Sequence, residues 1–238
     1  MIVFDSRGSL HLGREDIKND KRNYRKWEIC EKTNPGRSPS IEEAMKGADV
    51  FIGLSTPGPD TVKRSWIKSM APKSIVFACA NPVPEIWPYA AKEEGAYIVA
   101  TGRGDFPNQV NNSVCFPGIL KGALLVRAKK ITDGMAIRCA HSIADFSEKR
   151  GISASNIVAT MEETEVFAVE AADVAQEAIK EGVARVNLSW DEVYKRAKAD
   201  ILAARALTED LKKLGHIKEP PVEIMEKALE QAIASVKK

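Results

Sequence analysis

The sequence predicts an α/β fold in which a mostly parallel sheet with flanking helices is followed by a C-terminal α-helical extension. Short apolar segments that suit strands alternate with segments that suit helices as far as residue 150, and such alternation is typical of parallel sheets. Loops rich in proline, glycine or asparagine follow three of these strand segments. We therefore expect one domain in residues 1–150, and a helical extension that packs on the same or a partner domain in residues 151–238.

The composition argues against several functional classes. The 238 residues carry a net charge of +2 with 29% charged side chains, a balance that gives no electrostatic reason to expect binding to nucleic acid or to an anionic membrane. No apolar run approaches the ~20 residues that a membrane span requires. The four cysteines form no CxxC pair, which argues against a zinc site or a dithiol centre. Cys79 and Cys139 are predicted to be buried thiols, and a reducing cytoplasm is the expected setting.

The first predicted strand, Met1–Asp5, ends in a carboxylate. In dinucleotide-binding folds of the Rossmann type, the second strand ends in an acid that hydrogen-bonds the hydroxyl groups of the adenosine ribose. Asp5, with Ser6 in the following turn, fits that place and favours NAD. Arg7 could instead accept a 2′-phosphate, so NADP is possible. In the alternative interpretation, Asp5 merely begins a turn.

The glycine-rich fingerprint of such domains should precede the ribose-binding acid by ~20 residues. Only four residues precede Asp5, so we expect the first strand–helix unit of this Rossmann-like domain to lie outside the chain. Residues 102–107, GRGDFP, follow a strand but have proline in place of the third glycine. They are predicted to form a loop.

Start and stop signals predict the remaining elements of the first domain. Ser40 and Glu43 form a capping-box pattern at the start of a short helix, and Pro88 suits the first turn of another. The predicted helices span residues 23–33, 41–46, 62–70 and 88–94, and the predicted strands span residues 49–54, 74–80 and 97–101.

The loop Ser55–Pro59 stands at the carboxyl end of the strand at residues 49–54. Ligands of open parallel sheets bind outside the carboxyl ends of the strands, so Ser55 and Thr56 are predicted to present hydroxyl groups to a crevice. A plain connection between strand and helix explains the prolines of this loop equally well.

Two asparagines follow the next two predicted strands. Asn81 comes directly after residues 74–80 and is restricted by Pro82, while Asn112 ends the loop after residues 97–101. We expect both side chains to lie over one crevice. Their amides carry donors and an acceptor without charge, which suits a hydroxy acid or a nicotinamide carboxamide. Alternatively, Asn81 is a turn former.

Other polar residues of the loop at 102–112 suit structural roles. Asn108 and Asn111 are predicted to tie the loop down, since buried amides need partners. Asp105 is predicted to form an ion pair within the loop, with support of a ligand-binding residue as the alternative.

Helical patterns dominate the rest of the chain. The predicted helices begin near Phe116 and then span residues 132–150, 162–181, 189–214 and 222–236. Ser189 and Glu192 are predicted to cap the start of the helix at 189–214. The first of them has apolar residues on two faces, which predicts burial against the sheet, and His141 lies in the second as an ordinary core or surface histidine. In the last helix, four apolar residues are predicted to face inward: Ile224, Leu229, Ile233 and Val236.

Three ordered motifs carry a family resemblance: ANPVPEI at residues 80–86, ATGRGDFPNQVNN at 100–112 and FPGILKGAL at 116–124. Together they resemble the cofactor-binding half of the malic enzymes. The resemblance implies oxidative decarboxylation of malate to pyruvate and carbon dioxide, with reduction of NAD or NADP and with Mg or Mn in the complete enzyme. It also implies that Asn81 and Asn112 contact substrate, and that Ser55, Thr56 and Asn81 contact the cofactor.

The same resemblance implies that the catalytic acid–base pair and the metal carboxylates belong to a preceding half of the enzyme. No residue here matches those motifs, so we assign no catalytic residue and no metal ligand to this chain. We expect the isolated chain to be inactive and its partner to be an N-terminal malic-enzyme half or a second copy in a homodimer.

Two alternatives remain open. The chain could be a non-catalytic nucleotide- or protein-binding module derived from a dehydrogenase domain, and tight self-association with weak NAD binding would favour that interpretation. It could also belong to another hydroxy-acid or amino-acid dehydrogenase, against which the two asparagines with Phe116-Pro117-Gly118 argue.

Overall fold

A computed structural model of the chain describes residues 1–34, 36–218 and 221–236. The chain divides into two compact units. Unit 1 comprises Met1–Val114 and Ile143–Met161, and unit 2 comprises Cys115–Ser142 and Glu162–Lys238. This division differs from the boundary after residue 150 that the sequence predicts between a nucleotide-binding domain and its extension, and that boundary stays a prediction.

Unit 1 contains a parallel sheet and short helices. The strands are β1 (Phe4–Asp5), β2 (Gly8–Ser9), β3 (Val50–Gly53), β4 (Ile75–Ala78) and β5 (Ile98–Thr101). The helices are α1 (Glu15–Lys18), α2 (Tyr24–Thr33), α3 (Ile41–Met45), α4 (Arg64–Lys68) and α5 (Pro88–Glu93), with 3-10 turns at Lys21–Asn23 and Asn112–Val114. The six strands and helices that the sequence predicts between residues 41 and 101 are thus confirmed, with ends that move by no more than two residues.

The parallel sheet has the order β3-β4-β5, with Val50 opposite Ile75 and Ile75 opposite Ile98. The core packs the strand residues Val76 and Val99 against buried residues of the helices α3, α4 and α5. Burial of such apolar side chains supplies most of the stabilisation of a fold of this kind. The predicted α/β class is confirmed, and β3 leaves one apolar face bare: Val50 is 48%, Ile52 62% and Leu54 80% exposed.

The first segment does not join this sheet, so its prediction as a strand of the parallel sheet is wrong. Instead β1 pairs with β2 as an antiparallel ribbon, with Phe4 opposite Ser9. The turn between them is closed by Asp5, whose Oδ1 accepts a hydrogen bond of 3.0 Å from the backbone N–H of Arg7. Gly8 has a φ of +121°, which favours glycine there.

Two helices begin with the predicted capping box. In α3 the Ser40 hydroxyl accepts a 3.2 Å bond from the backbone N–H of Glu43, whose carboxylate accepts a 2.8 Å bond from the Ser40 N–H. Ser189 and Glu192 repeat the arrangement at the start of a long helix of unit 2. Reciprocal bonds of this kind satisfy backbone donors that a helix N-terminus otherwise leaves free.

The remaining helices are α6 (Phe116–Leu125), α7 (Asp133–Arg150), α8 (Glu165–Lys180), α9 (Trp190–Lys213) and α10 (Val222–Val236). In unit 2, α8 packs between α6 and α9. A Cβ atom at Gly122 would lie 2.5 Å from the carbonyl oxygen of Ala171, so the absence of a side chain lets α6 approach α8 closely. The facing surface of α8 is built from small buried residues, among them Ala171, Ala175 and Ala178.

Two predictions about apolar faces are wrong. One face of α6 is buried at Ile119, but Leu120 and Leu124 on the other face are 49% and 73% exposed. In α10, the residues Ile224, Leu229 and Ile233 are 63%, 63% and 47% exposed rather than inward. The side chain of Val236 lies outside the described residues.

Unit 2 also buries a carboxyl group. Glu170 of α8 is fully buried against the backbone of Gly118 in α6. Its Oε2 accepts a weak bond from the Cys139 thiol at 3.7 Å, and within the described residues its Oε1 has no hydrogen-bond partner. Burial raises the pKa of Glu170 to about 8, against a smaller lowering by Cys139.

The predictions for Cys79, Cys139 and His141 are confirmed in part. Cys139 is buried as expected, whereas Cys79 is half-buried, and both are free thiols. Burial raises the pKa of each thiol. His141 is exposed on α7 and is an ordinary surface histidine. Among the described residues, no helix combines the length and apolar character needed to cross a membrane.

Candidate functional site

The candidate site lies at the carboxyl edge of the parallel sheet. Because β3, β4 and β5 run in the same direction, their ends at Gly53, Ala78 and Thr101 fall on one edge. The segments that leave this edge carry Ser55, Thr56, Asn81 and Asn112, the residues that the sequence predicts to bind ligands. Their positions at one edge follow from the parallel topology.

A buried carboxylate, Glu85, holds two of these segments together. Its Oε1 accepts bonds from the backbone N–H of Ser55 at 2.8 Å and from the Ser55 hydroxyl at 3.1 Å. Its Oε2 accepts a 3.0 Å bond from the backbone N–H of Ala80, the residue before Asn81. Glu85 is fully buried, and three donors from two strand ends satisfy it.

The approach of Glu85 to the end of β3 depends on a glycine. A Cβ atom at Gly53 would lie 2.8 Å from Cδ and Oε1 of Glu85, which no side chain could tolerate without movement. The carbonyl oxygen of Glu85 also accepts a 3.0 Å bond from the N–H of Val62. Glu85 therefore fixes both ends of the loop 55–61, with its side chain at Ser55 and its backbone at Val62.

The interior of the loop 55–61 is held by a second set of bonds. The carbonyl of Thr56 accepts a 3.2 Å bond from the Thr61 hydroxyl, and the Thr61 N–H donates to the carbonyl of Gly58 at 3.1 Å. Gly58 has a φ of +147°, a conformation that favours glycine. Ser55 and Thr56 are exposed residues, so the loop is fixed while both residues remain accessible.

Asn81 lies against the start of the neighbouring loop. A Cβ atom at Gly102 would lie 2.9 Å from Nδ2 and 3.1 Å from Oδ1 of Asn81, so the amide is in close contact with the backbone there. The peptide bond between Asn81 and Pro82 is cis, and Asn81 is exposed. The residue type at position 102 is thus explained by the approach of the Asn81 amide.

The loop 102–112 is tied down by the two asparagines predicted to do so. Nδ2 of Asn108 donates to the carbonyls of Val99 at 3.0 Å and Ala154 at 2.8 Å, and its Oδ1 accepts from the N–H of Ile157 at 3.0 Å. Nδ2 of Asn111 donates to the carbonyl of Gly102 at 3.2 Å. Both predictions are confirmed.

Arg103 links this loop to the segment after β4. It forms an ion pair of 2.6 Å with Asp105 and donates a 2.8 Å bond to the carbonyl of Pro82. Its guanidinium group lies 5.6 Å from the centre of the Trp87 ring and 5.8 Å from that of Phe106. The hydrogen bond from Arg103 lowers the pKa of Asp105, and the predicted ion-pair role of Asp105 is confirmed.

Asn112 is exposed and opens the 3-10 turn Asn112–Val114. Its neighbour Asn111 and the more distant Asn81 both contact Gly102. The two segments that carry the predicted substrate residues therefore meet at one glycine. That Asn81 and Asn112 line a single crevice stays a prediction, which this meeting supports.

Asp5 is engaged by cations. Its carboxylate forms two bonds of 3.1 Å with Arg14 and one of 3.2 Å with Lys26, besides the bond from the Arg7 N–H. Burial acts to raise the pKa of Asp5, but the bonds from Arg14, Arg7 and Lys26 together lower it. A carboxylate has about four lone-pair positions, so this one is close to saturated. A ribose hydroxyl would have to replace one of these donors.

The adjacent Ser6 is exposed. The geometry agrees with the alternative that Asp5 begins a turn, and the ribose-binding role of Asp5 and Ser6 stays a prediction.

The described residues do not form a site for a divalent metal. Within them there is no group of three or more His, Cys, Asp or Glu side chains arranged to hold a metal ion. The acids nearest the candidate site are otherwise engaged, Glu85 with three donors and Asp105 with Arg103.

Sequence reasoning assigned no role to Glu85. A signal was present: an acid stands just after Asn81-Pro82-Val83-Pro84, at the point where a strand has ended. Its main partner, Ser55, is 30 residues away in sequence. Only the pairing of β3 with β4 in the structure shows that the two residues are neighbours.

Comparisons with known proteins agree with this fold. Residues 1–179 match the model of the family described as malic enzyme, NAD binding domain. The chain is 40% identical over 83% of its length to the bifunctional malic/malolactic enzyme of Bacillus subtilis, of which it covers 47%. It is 38% identical over 78% of its length to the NAD-dependent malic enzyme of Geobacillus stearothermophilus, of which it covers 37%. An NADP-dependent malic enzyme of Halomonas elongata is 39% identical over 63% of the chain.

Solved structures show the same likeness. The crystal structure of Entamoeba histolytica malic enzyme matches all of this chain with a TM-score of 0.95 and 63% identity, and the match covers 49% of that protein. Malic enzyme from Pyrococcus horikoshii matches 74% of the chain with a TM-score of 0.69 and 45% identity. The chain thus spans half or less of the length of these relatives. With a family match over most of its residues, the chain belongs to the malic enzyme family, and its residues 1–179 correspond to the NAD-binding domain.

Proposed function

We propose that this chain is the NAD(P)-binding and substrate-orienting half of a malic enzyme, which converts malate to pyruvate and carbon dioxide with reduction of NAD or NADP. The observation that carries the proposal is the meeting of the segments after β3, β4 and β5 at one sheet edge, through Glu85 and Gly102. These segments lie within the residues that match the NAD-binding domain.

The proposed roles follow the geometry of that edge. Ser55, Thr56 and Asn81 contact the cofactor, and Asn81 and Asn112 orient malate through uncharged amides that leave the proton balance of the site unchanged. Bound NAD would accept the hydride. Asp5 and Ser6 would contact the adenosine ribose after a rearrangement of the bonds from Arg14 or Lys26.

We assign the catalytic acid and base and the Mg or Mn ligands to another part of the enzyme. Among the described residues, no group of three or more His, Cys, Asp or Glu side chains is arranged to hold such a metal. The contribution proposed for this chain is to bind and to orient. We expect the chain on its own to be inactive.

Two bare apolar surfaces support the need for a partner. One face of β3 is exposed at Ile52 and Leu54, and α10 exposes Leu229 and Ile233. Exposed apolar patches of this kind mark interaction surfaces. We propose that an N-terminal malic-enzyme half, a second copy of the chain, or both cover them, in a cytoplasmic dimer.

The test combines binding with complementation. The chain is titrated with NAD and with NADP, and malate oxidation is then followed at 340 nm with Mn, first alone and then with the N-terminal half of the Entamoeba histolytica relative. We expect weak cofactor binding, no turnover by the chain alone and turnover by the mixture. Malate oxidation by the chain alone would contradict the assignment of the missing groups.

A matched pair of variants sharpens the test. Asn112→Ala should abolish most of the restored turnover, whereas Asn19→Ala, an exposed asparagine of the same unit, should leave it unchanged. Equal turnover for the two variants would contradict the substrate role of Asn112.

A second candidate function is a non-catalytic module. The near-saturated carboxylate of Asp5 favours it, because that group offers a ribose little acceptor capacity. Tight self-association without measurable NAD or NADP binding would support this alternative.

A further inference from the structure

Glu85 is an unusual group to find at the edge of a nucleotide site. It is fully buried, and its three side-chain bonds come from two backbone N–H groups and one hydroxyl rather than from a cation. In each bond the carboxyl group accepts. Charge-assisted bonds of this kind are stronger than neutral ones, so Ser55 and Ala80 are held firmly relative to each other.

The bond from Ser55 fixes the direction in which its hydroxyl can act. A serine hydroxyl has one proton to donate and two lone pairs. The proton is directed to Oε1 of Glu85 at 3.1 Å. Ser55 is an exposed residue, and its hydroxyl oxygen retains a lone pair for a ligand. Its ligand partner must therefore be a hydrogen-bond donor, which excludes the pyrophosphate oxygens.

We propose that Glu85 is a positioning residue that makes the Ser55 hydroxyl oxygen an acceptor, and so selects a hydrogen-bond donor on the nicotinamide half of the cofactor. This inference rests on the proposed function. The donor is either the carboxamide N–H of nicotinamide or a hydroxyl of its ribose. Both groups present an N–H or O–H to the same oxygen, and ligands that lack one or the other distinguish them.

The contacts of Glu85 explain why a substitution there should change cofactor affinity through Ser55. Its Oε1 receives both the N–H and the hydroxyl of Ser55, and the loop then returns to the Glu85 carbonyl at Val62. Replacement of the carboxyl by an amide introduces a donor where N–H groups already point. The Ser55 hydroxyl is then free to turn its proton outward.

The experiment measures four ligands against the whole chain and its variants. The ligands are AMP, ADP-ribose, NAD and 3-acetylpyridine adenine dinucleotide, whose acetyl group has no N–H. The variants are Ser55→Ala, Glu85→Gln and the double variant. Ser69→Ala is the control, since it removes a side-chain bond to Trp66 at the end of α4, outside the segments that follow the strands. Binding is followed by NMR titration, and folding by thermal unfolding.

We expect Ser55→Ala and Glu85→Gln each to weaken NAD about three- to tenfold, the range for one hydrogen bond. AMP affinity should not change in either variant. The double variant should bind NAD as weakly as Ser55→Ala alone, because Glu85 acts through Ser55. If these variants lose as much affinity for ADP-ribose as for NAD, the donor is the ribose hydroxyl. If they lose affinity for NAD alone and bind the acetylpyridine analogue as the unaltered chain does, the donor is the carboxamide N–H.

Several results would overturn the inference. They are unchanged NAD affinity in Ser55→Ala, a loss of AMP affinity equal to that of NAD, or additive losses in the double variant. If Glu85→Gln does not fold, Ser55→Ala still decides, since it leaves both backbone bonds to Glu85 in place. Absence of NAD and NADP binding by the unaltered chain would overturn the proposed function and this inference with it, whereas binding that ignores both substitutions overturns the inference alone.

Discussion

Two fully buried glutamates, one in each compact unit, have opposite surroundings. Glu85 in unit 1 accepts three hydrogen bonds from two strand ends. Glu170 in unit 2 receives a single weak bond from a thiol, and its Oε1 has no partner among the described residues. Both side chains are fully shielded from solvent, so burial alone does not distinguish them. What differs is the number of donors that the fold aims at each carboxyl group.

The difference shows how the cost of burying an acid is met. At Glu85, backbone N–H groups replace the hydrogen bonds of water. At Glu170 no such donors are present in the described structure, and burial raises the pKa of the group to about 8. The acid then stays protonated over most of the physiological range, which avoids a buried unpaired charge. One glutamate holds two segments of the candidate site together, and the other fills space between helices.

The largest expected effect is the pH dependence that Glu170 confers. Its folded-state pKa is raised from 4.5 to about 8, so the folded chain binds more protons than the unfolded chain between these values. Stability should therefore fall as pH rises from about 4.5 to about 8, by on the order of 4 kcal/mol, and level off above. Urea unfolding at a series of pH values measures this.

Glu170→Gln is expected to remove that component of the pH dependence, while Glu181→Gln, an exposed position at the end of the same helix, retains it. A profile for Glu170→Gln that matches the unaltered chain would show that Glu170 is charged in the folded state.

Glu85→Gln is expected to lower the unfolding free energy at high pH, whereas Glu170→Gln is expected to raise it. In the unaltered chain both carboxylate oxygens of Glu85 accept bonds from backbone N–H groups. The amide of Gln places an NH2 donor against one of these N–H groups, so the unfolding free energy should fall by about 2–3 kcal/mol at pH 9. Under the same conditions Glu170→Gln should raise it. Urea unfolding of both variants at pH 9 measures the two changes in unfolding free energy. Changes of the same sign would contradict the contrast drawn between the two glutamates.

A smaller effect is expected at Asn108, which ties down the loop of the candidate site. The residue has a φ of +58° and makes three side-chain bonds. Asn108→Ala should lose about 2–3 kcal/mol, through missing bonds and a strained backbone. Asn108→Gly also removes the three side-chain bonds, but glycine adopts a positive φ without strain. Its loss of unfolding free energy should therefore be about 1 kcal/mol smaller than that of Asn108→Ala. Thermal unfolding of the pair tests this, and equal losses would show that the backbone there is not strained.

The smallest effect on stability is expected on α10. Leu229→Lys changes a side chain that is 63% exposed, so the unfolding free energy of the chain should change by less than about 0.5 kcal/mol. If α10 binds a partner, the same substitution should weaken self-association or complementation. Sedimentation of both proteins over a range of concentrations measures this, and unchanged association would show that the α10 stripe is not the contact surface.

Local signals in the sequence predicted much of this fold. Strand ends, the capping boxes at Ser40 and Ser189, and the loop ties of Asn108 and Asn111 depend on residues within a short stretch or on obligatory hydrogen bonding. These predictions were confirmed because near neighbours in sequence determine the strand ends and caps, and because a buried amide must find hydrogen-bond partners wherever they lie.

Predictions that depended on remote partners did less well. Met1–Asp5 has the apolar character of a buried strand, yet it pairs with Gly8–Ser9. The two apolar faces of α6 could not show which one α8 would cover. The role of Glu85 was missed because its partner Ser55 is distant in sequence. Motif likeness predicted a set of cofactor-binding residues, but the direction of the hydrogen bonds within that set required coordinates.

The stacking of Arg103 on Trp87 has a practical consequence. The guanidinium group lies over the indole while it bonds to the carbonyl of Pro82 and pairs with Asp105. Any shift of residues 102–107 must therefore change the surroundings of that indole. The chain holds three other tryptophans at residues 27, 66 and 190. A version that keeps only Trp87 would report loop movement by its own fluorescence, without an attached dye.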